Sequence, residues 1–322
     1  MISLLLTGLI VLLLISATLA PIESLGWWAG WFGEKESLTT TPPSRQVVVV
    51  DQQAAAMHYL VYLSGIGAIT HDSIPLEEIK WLDALGGRVP GTILVLDVFP
   101  YSVTNVGLTS ERAFARLWRW LEQLQLSEKG GVLPFLINLR NVLQVAVSAD
   151  HRYGPIYNLG VAHEIGKALQ AHGYRIGSGT PVTLLGWSGG GQIAIGAATF
   201  LKPMLHAPIR VIAIGGVMSD DQGLKNVTHL YQFYGDKDPV QGLGGKLFPG
   251  RWPIAKQSDW NRALAEQRIT SMSLGPMTHN GKDNYFSWDV QAPDGRAYAE
   301  ATLDAVTGAL TREGLLNAAP GA

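Results

Sequence analysis

The sequence predicts an α/β domain built on a mostly parallel sheet flanked by helices, and three observations support this class. Short runs rich in Val, Ile and Leu recur along the chain and are apolar at almost every position, which is typical of strands buried on both faces. Helix-length segments separate most of these runs, as right-handed βαβ crossovers require. The composition, 47% hydrophobic and 16% charged over 322 residues, provides for a large core and argues against global disorder.

The N-terminus predicts a single-pass membrane anchor. Residues 1–20 carry no charged side chain, and twenty helical residues at about 1.5 Å each span about 30 Å, the thickness of a bilayer's hydrocarbon core. Trp27, Trp28 and Trp31 follow, and such a cluster suits the headgroup interface. A cleaved signal peptide, which would make the protein secreted, is an alternative, although no Lys or Arg precedes the apolar run. A buried helix is a third interpretation.

Three regions follow from the composition. Residues 1–33 form the anchor and its aromatic interface segment, residues 34–45 form a polar, proline-containing linker, and residues 46–322 form the α/β domain. The strand candidates of this domain are residues 47–50, 59–63, 92–98, 181–187, 210–216, 230–235 and 270–274.

One interval is too long for a plain crossover, and we expect a helical insertion at about 104–152. It contains two helical patterns, and the second, residues 132–147, is apolar on nearly every face. A helix packed on the domain's own core, a cap or lid over a binding site, and a second membrane segment all fit this pattern.

The strongest chemical signal surrounds Ser188. A strand candidate runs into Gly186-Trp187-Ser188-Gly189-Gly190, and a helix of small residues follows at once. A serine on such a sharp strand-to-helix turn needs small neighbours, and the helix N-terminus directs backbone N–H groups toward the space where an oxyanion would form. The alternative is a glycine-rich turn that is purely structural, in which Ser188 has no chemical role.

Two nucleotide-binding interpretations of these glycines fit less well. A phosphate loop needs Lys and Ser or Thr where Gln192 and Ile193 stand. A dinucleotide fingerprint needs an acidic residue at the end of the next strand, and residues 210–216 contain none.

A nucleophilic serine needs a base that a carboxylate orients, and both follow later strand candidates. Asp238 comes after residues 230–235, and His279 comes after residues 270–274, so both lie past the carboxyl ends of predicted parallel strands. Pro239 biases Asp238 toward the extended angles of a strand-end loop, which supports in part its choice over Asp236, a residue that also fits an ordinary turn. The substitutes for His279 are His71 and His151, both in predicted loops.

Together these residues resemble the α/β-hydrolase superfamily over about residues 46–315. The resemblance implies that Ser188 is the nucleophile, His279 the general base and Asp238 the orienting acid. It also implies an oxyanion hole formed by the amide of Gly189 and by a second amide after residues 59–63, from Ile66 or else Gly67. Many members carry His-Gly in that second loop, where this chain has Ser64-Gly65.

The expected function is therefore a membrane-tethered serine hydrolase that cleaves an ester or thioester, with a lipid-like acyl group favoured by the apolar insertion. A peptidase or amidase on the same fold and a non-catalytic binding protein are the alternatives. We expect the insertion to lie over the mouth of the Ser188 pocket. The net charge of −2 gives no electrostatic footprint for nucleic acid, and the absence of cysteine and of metal-binding motifs predicts neither cofactor nor metal.

Overall fold

The computed structural model describes residues 56–67, 73–101 and 132–316, together with Val11. Within these ranges, six strands form one sheet in the order β2-β1-β3-β4-β5-β6, and every neighbouring pair is parallel. The predicted α/β class with a parallel sheet is therefore confirmed. The strands are β1 (His58–Leu63), β2 (Thr92–Val95), β3 (Val182–Trp187), β4 (Ile209–Ile214), β5 (Val227–Tyr234) and β6 (Ile269–Ser273).

Helices cover both faces of the sheet. The helices are α1 (Leu76–Arg88), α2 (Val132–Ala149), α3 (Gly154–Ala171), α4 (Gly190–Leu205), α5 (Leu243–Leu247), α6 (Asp259–Ala265) and α7 (Tyr298–Arg312), with 3-10 turns at Gln222–Lys225 and Pro249–Arg251. Alternate residues of β1 face opposite layers, because side chains along a strand point to opposite faces. Val61 and Leu63 pack with α3 and α4, whereas Leu60 and Tyr62 pack with α1 and α7.

One buried carboxyl interrupts the apolar layer under α1. Glu78 is 3% exposed, and its Oε1 accepts a hydrogen bond of 2.6 Å from the Tyr62 hydroxyl. Burial raises the pKa of Glu78 from 4.5 to about 7, and the hydrogen bond from Tyr62 opposes that rise only in part. Glu78 therefore titrates near neutral pH.

The strand predicted at residues 92–98 ends at Val95 instead. Among the described residues it pairs only with β1, and the chain beyond it buries Val98 and Tyr101. The second helix of the insertion extends to Ala149, two residues beyond its predicted end. The predicted anchor, the linker, the strand at 47–50 and the first insertion helix lie outside the described residues. No helix within the described ranges is both long and apolar enough to cross a membrane.

Candidate active site

Ser188 occupies the sharp turn between β3 and α4. Its φ of +53° lies in the left-handed region, which residues with a side chain rarely adopt. The turn is crowded: a Cβ on Gly186 would lie 2.6 Å from the backbone of Gly190, so only glycine fits there. The strained serine and its small neighbours together present the Ser188 hydroxyl at the carboxyl edge of the sheet.

The structure brings Ser188, His279 and Asp238 together in one chain of contacts. Ser188 Oγ lies 2.8 Å from Nε2 of His279, and Nδ1 of His279 lies 2.9 Å from Oδ2 of Asp238. The three residues follow β3, β6 and β5 respectively, and all three are buried. The parallel sheet explains this meeting, because the carboxyl ends of its strands share one edge.

Several donors hold the Asp238 carboxylate. The backbone N–H groups of Val240 and Gln241 donate to Oδ1 at 2.8 and 3.2 Å, and the Tyr285 hydroxyl donates to Oδ2 at 2.6 Å. Burial by itself would raise the pKa of Asp238, but the hydrogen bonds from His279 and Tyr285 outweigh it and hold that pKa below its usual value. An ionised Asp238 only accepts, so the proton of a neutral His279 sits on Nδ1 and leaves Nε2 to accept from Ser188.

Two aromatic residues that sequence reasoning missed fix the position of His279 and Asp238. The Trp187 indole stacks on the His279 imidazole with ring centroids 4.6 Å apart and planes 20° from parallel. Tyr285 packs edge-on against Trp187 while it donates to Asp238. Burial, followed by the contact with Asp238, raises the pKa of Tyr285, so its hydroxyl stays protonated. No sequence motif marked either role, although Trp187 lies inside the serine turn itself.

The loop after β1 approaches the serine turn at Ile66. A Cβ on Gly189 would lie 3.2 Å from Cγ2 of Ile66, whereas a Cβ on Gly67 would meet nothing within 4 Å. Asn141 Nδ2 donates to the Ile66 carbonyl at 2.5 Å, which fixes this loop. Gly189 immediately precedes the first turn of α4, where backbone N–H groups carry partial positive charge. The structure therefore places the Ile66 side chain against Gly189.

Helix α2 packs against the same turn. A Cβ on Gly189 would lie 2.7 Å from Cγ2 of Val145. Among residues 138–149 of α2, whose burial the structure describes, the buried positions are mostly polar, whereas Val142 is 47% exposed. The buried polar residues there are Arg140, Asn141, Gln144 and Ser148. The second insertion helix is thus a neighbour of Ser188, and it turns hydrogen-bonding groups toward the loops around the site.

The competing site residues lie elsewhere or outside the described ranges. Asp236 is exposed, and its Oδ1 accepts from the Ser273 hydroxyl at 2.7 Å. The His151 side chain is 64% exposed and lies 3.8 Å from Asp220. His71 belongs to a segment that the structure does not describe. Among the described residues, no three His, Asp or Glu side chains cluster as metal ligands would.

No protein-family profile matches the chain, and no curated protein is significantly similar to it. The parallel six-stranded sheet flanked by helices is an α/β fold compatible with the α/β-hydrolase class.

Proposed function

We propose that this protein is a serine hydrolase of the α/β-hydrolase type. The observation that carries the proposal is the continuous contact from Ser188 Oγ through His279 to Asp238. In the proposed reaction Ser188 Oγ attacks an acyl carbonyl while His279 Nε2 takes its proton. His279 then gives that proton to the leaving group, which departs and leaves an acyl-enzyme. Water, deprotonated by His279, attacks the acyl-enzyme and returns free Ser188 and a carboxylic acid.

The amides of Gly189 and Ile66 are the proposed donors to the tetrahedral oxyanion. The two residues lie against each other beside Ser188, and neither amide donates to a backbone carbonyl outside the helices and strands among the described residues. Free amides aimed at a developing charge stabilise the transition state more than the ground state.

An ester or thioester with an apolar acyl group is the proposed substrate. The closeness of Val145 to Gly189 supports this choice, because an aliphatic side chain there would face the acyl group of a bound substrate. A peptidase or amidase would use the same geometry, and relative rates on esters and anilides of one acid distinguish these chemistries.

We further propose that residues 1–20 tether the enzyme to a membrane. The support is their uncharged, apolar sequence and the tryptophans after them. Deletion of residues 1–33 should move the protein from the membrane to the soluble fraction while its hydrolysis rate stays within about twofold. A truncated chain that still sediments with membranes would contradict the tether.

Hydrolysis of p-nitrophenyl esters by the unmodified chain and two serine variants tests the proposed reaction. Ser188→Ala should lower kcat by at least about 10⁴-fold, because the nucleophile is lost. Ser219→Ala is the matched control, since Ser219 is also buried but lies outside the contact chain, and it should change kcat by less than about threefold. A Ser188→Ala chain with normal activity would reject the proposal, and an inactive unmodified chain would favour a binding protein.

A further inference from the structure

The hydroxyl of Tyr101 is buried without a hydrogen-bond partner among the described residues. Tyr101 is 0% exposed, and its side chain lies in the core beside α3 and α4. A buried polar group with no partner destabilises the folded state, because it has lost its hydrogen bonds to water. Each such group calls for an explanation, and a catalytic role is one that the position of the Tyr101 hydroxyl allows.

This hydroxyl lies at the serine turn. A Cβ on Gly189 would lie 2.8 Å from the Tyr101 oxygen, between Cγ2 of Val145 at 2.7 Å and Cγ2 of Ile66 at 3.2 Å. The phenol oxygen is therefore beside Gly189, the residue that follows Ser188, and beside the Ile66 loop. These are the two residues whose amides define the proposed oxyanion position.

Buried donors fix the backbone that carries Tyr101. The Tyr157 hydroxyl donates to the Pro100 carbonyl at 3.0 Å, and Nη1 of Arg140 donates to the Tyr101 carbonyl at 2.9 Å. Arg140 also donates to Asn141 Oδ1 at 3.0 Å, and Asn141 holds the Ile66 loop. One turn of α2 thus positions both segments that meet at Gly189.

We propose that the Tyr101 hydroxyl is a third donor to the oxyanion, beside the amides of Gly189 and Ile66. The proposal rests on the proposed hydrolase function. Burial, followed by the neighbouring Tyr157, raises the pKa of Tyr101, so the phenol keeps its hydrogen at neutral pH. The hydroxyl gives no proton away; it only donates a hydrogen bond to the charged oxygen. Because it has no partner among the described residues in the resting protein, the bond forms chiefly in the transition state, where it accelerates the reaction.

Tyr101→Phe in the full chain tests this role. We expect kcat on a p-nitrophenyl ester to fall by about 10²-fold with KM changed by less than about threefold. The affinity for a trifluoromethyl ketone, which forms a charged hemiketal with serine, should fall by a similar factor. The melting temperature should stay equal or rise, because the change removes an unpaired hydroxyl.

Tyr174→Phe is the matched control. Its hydroxyl donates to the Thr180 carbonyl at 3.1 Å, away from the site, so this variant should lose stability and keep its kcat. An unchanged kcat in Tyr101→Phe, or a fall in its melting temperature as large as that of Tyr174→Phe, would overturn the third donor.

Two further measurements distinguish a failure of the hydrolase proposal from a failure of the third-donor proposal. Fluorophosphonate labelling of the unmodified chain reports the hydrolase function itself: no labelling rejects both proposals, whereas labelling with an unaffected Tyr101→Phe rejects only the third donor. If Tyr101→Phe does not fold, 3-fluorotyrosine at position 101 keeps the ring and makes the hydroxyl a stronger donor. It should then raise kcat, and an unchanged kcat would overturn the proposal.

Discussion

Tyr285 and His279 contact the same oxygen of Asp238: the tyrosine hydroxyl donates to Oδ2 at 2.6 Å, and His279 Nδ1 lies 2.9 Å from it. The Tyr285 oxygen also accepts from the Gly235 amide at 2.7 Å, so this side chain adds a second link between the loop after β5 and the loop after β6. Tyr285 is thus a positioning residue that acts on His279 through Asp238.

Replacing Tyr285 by Phe should therefore alter the pH profile as well as the rate. Asp238 loses a donor to its charged form, so its pKa rises, and the carboxylate attracts a proton on His279 more strongly. We expect kcat/KM to fall by roughly tenfold and its acid limb to move to higher pH. The measurement is kcat/KM as a function of pH. Tyr231→Phe is the control, because the Tyr231 hydroxyl donates to Glu313, away from the site. If Tyr285 had a purely structural role, its replacement would lower kcat/KM without shifting the acid limb of the pH profile.

The two aspartates of the β5 loop offer a matched pair. Asp238→Asn keeps the shape of the side chain but removes the carboxylate that accepts the hydrogen bond from His279 Nδ1. His279 is then left in the wrong tautomer, so kcat should fall by roughly 10³- to 10⁴-fold. Asp236→Asn removes the same charge two residues away, where the carboxylate bonds only Ser273 among side chains described, and kcat should change by less than about threefold. Equal losses from both substitutions, measured on one ester at saturation, would remove Asp238 from its proposed role.

Helix α2 offers a test of acyl selection. Val145→Phe enlarges a side chain that already touches the serine turn, so the chain-length optimum on p-nitrophenyl esters should move to shorter acids by comparison of kcat/KM. Val142→Phe, one turn away on the exposed side of the same helix, should leave that preference unchanged. If kcat/KM instead falls equally on all esters, in step with a lower melting temperature, Val145 serves only in core packing and has no role in acyl selection.

Glu78 gives a prediction about stability and pH. Its pKa is raised from 4.5 to about 7 in the folded chain, so between these values the folded state holds a proton that the unfolded state has released. The stability that this proton contributes is complete below pH 4.5 and is lost as the pH rises to 7, a change of about 3 kcal/mol. In denaturant titrations, Glu78→Gln should flatten the dependence of the free energy of unfolding on pH. At pH 8 this variant should be more stable than the unmodified chain. Glu77→Gln, its partly exposed neighbour, should leave the slope in place.

Local sequence patterns were enough to predict the parallel sheet and the positions of Ser188, Asp238 and His279. Most strands are apolar runs, and Ser188, Asp238 and His279 lie in the loops or turn that follow β3, β5 and β6, so the parallel sheet brings them to one edge. Tyr285 and Trp187 escaped notice because their roles depend on contacts with residues 47 and 92 positions away in the chain, which no local motif records.

The orientation of α2 shows a second limit of sequence patterns. Apolar periodicity predicts which face is buried only when the surroundings are apolar. Here the loops of Ile66 and Tyr101 present carbonyl groups, so Arg140 and Asn141 turn inward to donate to them while Val142 remains exposed. A helix that appears uniformly apolar can therefore bury its few polar residues.

The central claim is that His279 activates Ser188 as a nucleophile, and fluorophosphonate labelling tests it most directly. Treated with an excess of reagent at neutral pH, the folded full-length chain should gain the mass of a single adduct, and peptide mapping should place that adduct on Ser188. Ser188→Ala should gain none, and His279→Gln should label on the order of 10³-fold more slowly, because the base is lost. A folded chain that gains no adduct, or that gains the same adduct after Ser188→Ala, would contradict the assignment.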